Sequence, residues 1–306
     1  MTIFKQSFFE CFDERVSSSL EQYRGRYAPS PTGELHLGNI RTALLSWLKA
    51  RIENGKWYLR IDDLDTSRNR VGASECIQEQ LKWLGLGWDG PVIFQSTRKK
   101  IYQATLDELK RIDRLYACKC SRKELINGQN SKVKNDIYQE TCKTLRLPWD
   151  KYRGKTLSWR LKVGSEFQKS SGDIILRRAD GVVSYHFATV VDEIMLGITE
   201  VIRGEDLYDS EISQLSIYDA FNLEPKEFKY VPLFYDSSGK KLSKRDSSQG
   251  VNELIAKGIS SEKLIGLLAS SLDLVPKGTL ASSSQLLEMI KRDRTNFYKL
   301  FNNYKR

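Results

Sequence analysis

At 306 residues, with 40% hydrophobic and 29% charged residues, the chain is long enough to bury a substantial core and has the make-up of a soluble globular protein. No apolar run is long enough to cross a bilayer, so no membrane partner is expected. The formal charge of +10 points to an anionic partner and says nothing about the fold. Five cysteines, an odd number, argue against a disulfide framework and suit a reducing compartment. Glu10, Asp13 and Glu14 interrupt the N-terminal segment before a signal-peptide core can form, so the chain reads as cytoplasmic, with a loose extension over residues 1–22.

The first informative stretch is Tyr23 to Thr42, YRGRYAPSPTGELHLGNIRT. A short strand ends near Ala28. Two prolines and a Thr32-Gly33 turn follow, and His36-Leu37-Gly38-Asn39 lead into a helix marked by Ile40, Leu44, Trp47, Leu48 and Ile52 and stopped by Asn54-Gly55. Strand, tight loop and helix in this order aim backbone N–H groups and the positive end of the helix dipole at one point, which suits phosphate. An ordinary strand-to-helix loop has the same signature. Trp57 to Asp62 reads as a buried strand running into Asp62-Asp63-Leu64-Asp65, at the edge where open α/β sheets bind ligands, although a solvated acidic turn reads the same way. Helical periodicity recurs over 73–84 and 98–115, with a turn at Trp88-Asp89-Gly90-Pro91 and a short strand between them.

Cys118 and Cys120 are followed, across a polar loop containing Asn127-Gly128, by Tyr138 and Cys142. The four-residue spacing of Tyr138 and Cys142 predicts one face of a helical turn. Three thiolates with a fourth ligand suit a closed tetrahedral zinc site, and three idle thiols are the alternative. Cys11 and Cys76 stand apart. Strands are predicted over Leu157–Val163 and Asp173–Arg177, then a tight Asp180-Gly181 turn into a strand Val182–His186, making a β-rich insertion from about 116 to 184. Ile198 to Arg203 is the next strand. Arg203 at its carboxyl edge can hold a carboxylate bidentately, or simply serve as an ion-pair partner. Lys241-Leu242-Ser243-Lys244-Arg245 is a basic loop. The 56 residues after Gly250 predict short helices over 251–257, 261–271, 284–291 and 294–302, broken at Pro276 and at Ser282-Ser283-Ser284. With only two histidines, His36 and His186, an imidazole metal cluster is excluded, and no G-x-S-x-G elbow is present.

The run RYAPSPTGELHLGNIRTAL resembles the signature of class I glutamyl-tRNA synthetases, with HLGN standing where the class carries its HIGH motif. KLSKR at 241–245 resembles the lysine loop of the class, KMSKS, in the expected order along the chain. The resemblance runs from about Tyr23 to Gly250. C-x-C followed by Y-x-x-x-C is similar to the zinc site of glutamyl-queuosine tRNA(Asp) synthetases, the shortened relatives, with a longer joining loop from Ser121 to Ile137. A full glutamyl-tRNA synthetase carries a large anticodon-binding region after its lysine loop, which the remaining 56 residues do not accommodate. The resemblance therefore implies an α/β chain with a Rossmann-like class I catalytic domain in two halves, 23–115 and 185–250. A zinc-containing, acceptor-binding-like insertion occupies 116–184 and a short helical region 251–306.

It also implies a set of roles. His36 and Lys244 are the expected catalytic residues. ATP, with Mg²⁺, is expected on His36, Gly38, Asn39, Lys241 and Lys244. Glutamate is expected on Arg26, Tyr27, Ala28, Pro29, Ser30, Asp62, Tyr185 and Arg203, with Asp62 standing where the family has a glutamate that receives the α-amino group. One structural Zn²⁺ per chain is expected on Cys118, Cys120, Tyr138 and Cys142. The implied reaction is tRNA-independent activation of L-glutamate by ATP, then transfer to queuosine in the anticodon loop of tRNA(Asp). Two alternatives remain from the sequence: a glutamyl-tRNA synthetase core working with a separate anticodon domain, and a non-catalytic RNA-binding relative, which would be expected to lose His36 or Lys244.

Overall fold

The computed structural model describes residues 7–10, 22–121, 137–138, 140–232 and 250–302. Along the chain, the helical turn α1 (Ser7–Glu10) precedes β1 (Arg24–Tyr27), α2 (Leu37–Ile52), β2 (Lys56–Ile61), α3 (Ala73–Trp83) and β3 (Ile93–Phe94). Next come α4 (Lys99–Arg111), β4 (Leu115–Cys118), β5 (Lys151–Tyr152), β6 (Lys155–Thr156), β7 (Ser158–Leu161), β8 (Ile175–Arg177) and α5 (Tyr185–Met195). The remaining elements are β9 (Glu200–Gly204), α6 (Glu211–Ala220), β10 (Glu227–Val231), α7 (Val251–Ala256), α8 (Ser261–Ser270), α9 (Ser283–Arg292) and α10 (Thr295–Asn302). The described residues divide into two compact units, each assembled from separate stretches of chain.

The sheet unit comprises the described residues of 19–95, 198–208 and 226–306. β1 pairs parallel with β2, and β2 parallel with β3. β9 and β10 form a second parallel ladder. The two ladders meet where Thr199 N–H donates to the Arg24 carbonyl and Arg24 N–H to Thr199 Oγ1, both at 3.0 Å. The resulting order, β3-β2-β1-β9-β10, runs outward from β1 in one direction and resumes on its other side. That reversal creates a switch point between β1 and β9, and open parallel sheets bind ligands at the carboxyl ends of strands there. Alternation along β2 buries Trp57, Leu59 and Ile61 completely. α2 packs its Ile40, Leu44, Leu45 and Leu48 against the sheet, and Leu268, Leu286, Ile290 and Phe297 from the C-terminal helices extend the same core.

The second unit contains the antiparallel sheet β4-β7-β8, with Leu115 opposite Leu161 and Cys118 opposite Ser158. α5 and α6 supply its helical layer, burying Phe187, Val190, Val191, Ile217 and Phe221, and Phe9 of α1 meets Phe221 edge to face at 5.4 Å. The fully buried Asp192 carboxylate is neutralised by Arg98 Nε at 2.6 Å and accepts from Tyr102 Oη at 2.8 Å.

Three sequence expectations are corrected. The strand predicted over Val182–His186 is reduced to a single bridge between Val183 and Arg177, and a helix starts at Tyr185. Ser184 causes this: its hydroxyl accepts the Phe187 N–H at 3.3 Å and caps a run that is apolar at helical spacing. The helix predicted over 98–115 stops at Arg111, because Asp113 turns left-handed with φ 58° and Leu115 already belongs to β4. Of the Ser282-Ser283-Ser284 run expected as a break, Ser283 and Ser284 already belong to α9, and Ser282 is its N-cap, with Gln285 closing a capping box.

Candidate active site

At the carboxyl end of β1 the chain turns into Ala28-Pro29-Ser30, and Asp62 N–H at the end of β2 donates to the Pro29 carbonyl at 3.0 Å. Arg26 crosses the switch point, its Nη1 donating to the Ile202 carbonyl of β9 at 3.0 Å, one residue before Arg203. Arg203 is buried. Its Nη2 donates to Tyr230 Oη at 2.7 Å, and its guanidinium lies over Phe228 at 4.4 Å and over Tyr230 at 5.2 Å. Asp62 is held from both carboxylate oxygens by Arg60, with Nε at 2.6 Å and Nη2 at 3.0 Å. The strand ends thus carry three buried guanidiniums, Arg26, Arg60 and Arg203, and one buried carboxylate, Asp62. Buried guanidiniums at these strand ends suit a carboxylate or phosphate ligand. The Tyr27 ring stacks on Trp57 at 6.2 Å within the core, so any contact it offers a ligand comes from its backbone. Ser30 is exposed.

His36 is the N-cap of α2. Its Nδ1 accepts Asn39 N–H at 3.4 Å, and Asn39 Oδ1 answers at the His36 N–H at 3.5 Å, a capping box. With Nδ1 as acceptor, the neutral ring carries its proton on Nε2 and becomes a donor. Gly38 leaves room for the ring: a Cβ there would lie 3.2 Å from His36 Cε1 and press on it.

Lys241 and Lys244 lie outside the described residues, but both flanks of their segment are fixed on the neighbourhood of α2. Arg41 of α2 donates to the carbonyl of Pro232. On the other side Gly250 bridges His36, and Val251 N–H donates to the Leu35 carbonyl at 3.2 Å. A Cβ on Gly250 would run into the Glu34 carboxyl, so any other residue there would displace that side chain. Glu34 Oε2 accepts Asn252 N–H at 2.9 Å. Buried Gln80 of α3 locks this clasp, accepting Leu35 N–H at 2.9 Å and donating to Asn252 Oδ1 at 3.0 Å.

Tyr185, Cys118, Cys120, Tyr138 and Cys142 belong to the second unit. Tyr185 is the first residue of α5 and is partly exposed. The three thiols lie within 4.8 Å of one another. Cys118 Sγ is 3.4 Å and Cys120 Sγ 3.7 Å from Tyr138 Oη, and Cys120 and Cys142 sulfurs are 3.5 Å apart. Tetrahedral coordination with ordinary metal–sulfur and metal–oxygen bonds requires about 3.8 Å between sulfurs and about 3.5 Å between sulfur and oxygen. The Tyr138 oxygen's distances to Cys118 and Cys120 and the Cys120–Cys142 sulfur distance are near this spacing, so the cluster can hold a metal ion. Tyr138 and Cys142 do not share a helical turn as the spacing predicted. Tyr138 instead bridges Gly172, Glu140 turns left-handed, and the Tyr138 oxygen accepts Cys142 N–H at 2.9 Å. Burial opposes ionisation of Cys142, yet hydrogen bonds from Tyr138, the Lys119 backbone and the neighbouring thiols outweigh it and bring the thiol down to about 7. Burial, with the Cys118 and Cys142 contacts, pushes the Tyr138 phenol well up.

Sequence reasoning did not single out Arg60, Gln80, Glu34 or Tyr230. Arg60 and Asp62 stand two residues apart on one strand face, and an arginine inside a buried strand requires a partner of this kind. Nothing local marks Gln80, whose partners are 45 and 172 residues away.

Residues 22–269 match the family described as tRNA synthetases class I (E and Q), catalytic domain. The chain is 51% identical over 270 residues to a glutamyl-Q tRNA(Asp) synthetase of Prochlorococcus marinus (strain MIT 9313), covering 88% of each protein. It is 48% identical to the protein of that name from Synechococcus sp. (strain CC9605), covering 92% of this chain and 94% of the relative. Among solved structures it resembles a glutamate tRNA ligase from Elizabethkingia meningosepticum CCUG26117 in complex with its amino acid, with a TM-score of 0.73 and 27% identity, over 88% of this chain. The chain spans 64% of that ligase's length. The chain therefore belongs to the class I tRNA synthetase (E and Q) catalytic-domain family, among the glutamyl-Q tRNA(Asp) synthetases.

Proposed function

We propose that the chain is a ligase that activates glutamate with ATP and transfers it to queuosine in the anticodon loop of tRNA(Asp). The observation that carries the reading is the switch point at which Arg26 and Arg203 present buried guanidiniums beside a helix N-terminus capped by His36. A carboxylate oxygen of glutamate attacks the α-phosphorus of ATP, and the bond to pyrophosphate breaks. Arg26 and Arg203 hold the carboxylates of glutamate. Asp62, oriented by Arg60, receives the α-amino group, and Ala28, Pro29 and Ser30 line the pocket through their backbone. His36 donates from Nε2 to phosphate oxygens at the N-terminus of α2, where Gly38 and Asn39 add backbone N–H groups. Lys244, assisted by Lys241, neutralises the departing pyrophosphate, and Mg²⁺ arriving with ATP would supply further screening of the phosphate charge. No covalent enzyme intermediate is needed. A queuosine hydroxyl then attacks the acyl carbon, AMP leaves, and the hydroxyl proton passes to AMP or water.

Cys118, Cys120, Cys142 and Tyr138 hold one structural zinc ion, a choice supported by the soft sulfur donors and their tetrahedral spacing. Its contribution is to the folding of the surrounding loops and lies outside the chemistry.

The test is a charging assay with labelled glutamate on tRNA(Asp) with and without queuosine, and on an isolated anticodon stem-loop bearing queuosine. Label should enter both queuosine-containing RNAs without any RNA being needed for glutamate-dependent pyrophosphate exchange. Efficient charging of unmodified tRNA(Asp), or of tRNA(Glu) at its 3′ end, would overturn the reading in favour of an ordinary synthetase.

A further inference from the structure

The second unit carries a charged ridge that the proposed chemistry does not use. Between residues 143 and 156 the chain has five cations, Lys143, Arg146, Lys151, Arg153 and Lys155, against the single carboxylate of Asp150. Within this stretch β5 and β6 form a two-residue hairpin, with Lys151 opposite Thr156 and Tyr152 opposite Lys155. Lys151, Arg153 and Lys155 are all exposed. Among the described residues, neither Lys110, Lys119 nor any of these three hairpin cations pairs with a carboxylate. Aromatic faces take that place for three of the five: Lys119 lies 5.6 Å and Arg153 5.3 Å from the Tyr152 ring, and Lys110 lies 4.3 Å from Trp149. Lys143, Lys162 and Arg178 of the same unit each have an acidic partner. A second observation comes from the turn. Arg153 and Gly154 both occupy the left-handed region, with φ 50° and 77°, as a two-residue hairpin loop demands. Asparagine or glycine satisfies the first position at little cost, whereas an arginine there strains the backbone in order to place a cation at the tip.

We infer that the 151–156 hairpin is an RNA-backbone contact, with Lys151, Arg153 and Lys155 engaging phosphates and Lys110 and Lys119 extending the positive strip behind it. Cations spread over aromatic faces and left without carboxylates remain available for phosphate, and the half-buried rings of Tyr152 and Trp149 suit the sugar and base edges of an RNA strand. The identity of the natural partner as tRNA rests on the proposed function; the surface itself does not depend on which nucleotide is modified.

The experiment compares the full chain with a Lys151→Ala/Arg153→Ala/Lys155→Ala variant, measuring anisotropy of a labelled tRNA(Asp) anticodon stem-loop as salt is raised. Removing three ion pairs with phosphate should make the fall in affinity between about 50 and 200 mM salt about 20- to 40-fold shallower than in the wild type. Glutamate-dependent pyrophosphate exchange and metal content should not change. Arg153→Gly guards against misfolding, since it relieves the turn: its Tm should equal or exceed that of the wild type while its RNA affinity falls. Wild-type affinity and salt dependence in both variants would overturn the proposal. Competition by polyglutamate as effective as by RNA of equal charge would also overturn it, assigning the ridge to an acidic protein. Charging specificity, read separately, reports on the functional assignment, so a wrong acceptor nucleotide leaves this outcome intact.

Discussion

Replacing Gln80 by leucine tests whether the clasp behind His36 serves the chemistry as well as the fold. Leucine is close in volume, so no cavity opens, but Leu35 N–H loses its buried acceptor at 2.9 Å and Asn252 Oδ1 loses its donor at 3.0 Å. An unsatisfied buried N–H costs about 1–3 kcal/mol, and the lost bond to the exposed Asn252 contributes about 0.5–1.5 kcal/mol, so destabilisation should be about 2–4 kcal/mol. In a protein of this size that lowers Tm by roughly 5–10 °C. The milder Asn252→Ala removes only the second contribution, since Asn252 N–H still bonds Glu34. Because the clasp fixes Gly250 beside His36, Gln80→Leu should also lower kcat of pyrophosphate exchange by about 10- to 100-fold, through misplacement of the lysine-loop segment. KM for glutamate should hold, as Arg26 and Arg203 make none of these contacts. Thermal melts and exchange kinetics at a temperature where both proteins are folded give the two numbers. A destabilisation below about 1 kcal/mol would refute the hydrogen-bond accounting, and the full loss of stability with wild-type kcat would refute the link to the site.

His36→Asn should retain the N-cap of α2, because asparagine caps as well as any residue, yet lose glutamate activation by orders of magnitude; equal exchange rates would remove the imidazole from the reaction. Arg203→Lys should raise KM for glutamate about 10- to 100-fold, since an ammonium cannot replace a planar guanidinium lying over Phe228 and Tyr230, as steady-state exchange assays will show. Elemental analysis should find about one zinc per chain, lost on replacing Cys118, Cys120 and Cys142 by serine while the parallel sheet survives. Protons compete with metal for the thiolates, so retention should weaken as pH falls below the value near 7 of the Cys142 thiol, and a dialysis series across that range measures it.

The sequence by itself determined the local parts. The spacing of Ile40, Leu44, Trp47 and Leu48 makes α2 wherever the chain goes, alternation makes β2, and the strand-loop-helix order around His36 follows from proline, glycine and capping chemistry that act within a few residues. The thiol pair Cys118 and Cys120 is likewise legible at short range. Tertiary structure decided what depends on residues far apart in the chain. The switch point exists only because β9 lies beside β1, 176 residues away at the Arg26 contact, and that pairing turns Arg26 and Arg203 from ordinary strand arginines into neighbours across a crevice. Arg60 shows the same limit on a shorter scale: its partner Asp62 is two residues on, but the burial that makes the pair obligatory comes from the helices and strands packed around β2. Ser184 marks where local reasoning misread the chain, since an apolar run of either period can follow a tight turn. Its hydroxyl, accepting the Phe187 N–H, commits Tyr185 and the residues after it to a helix.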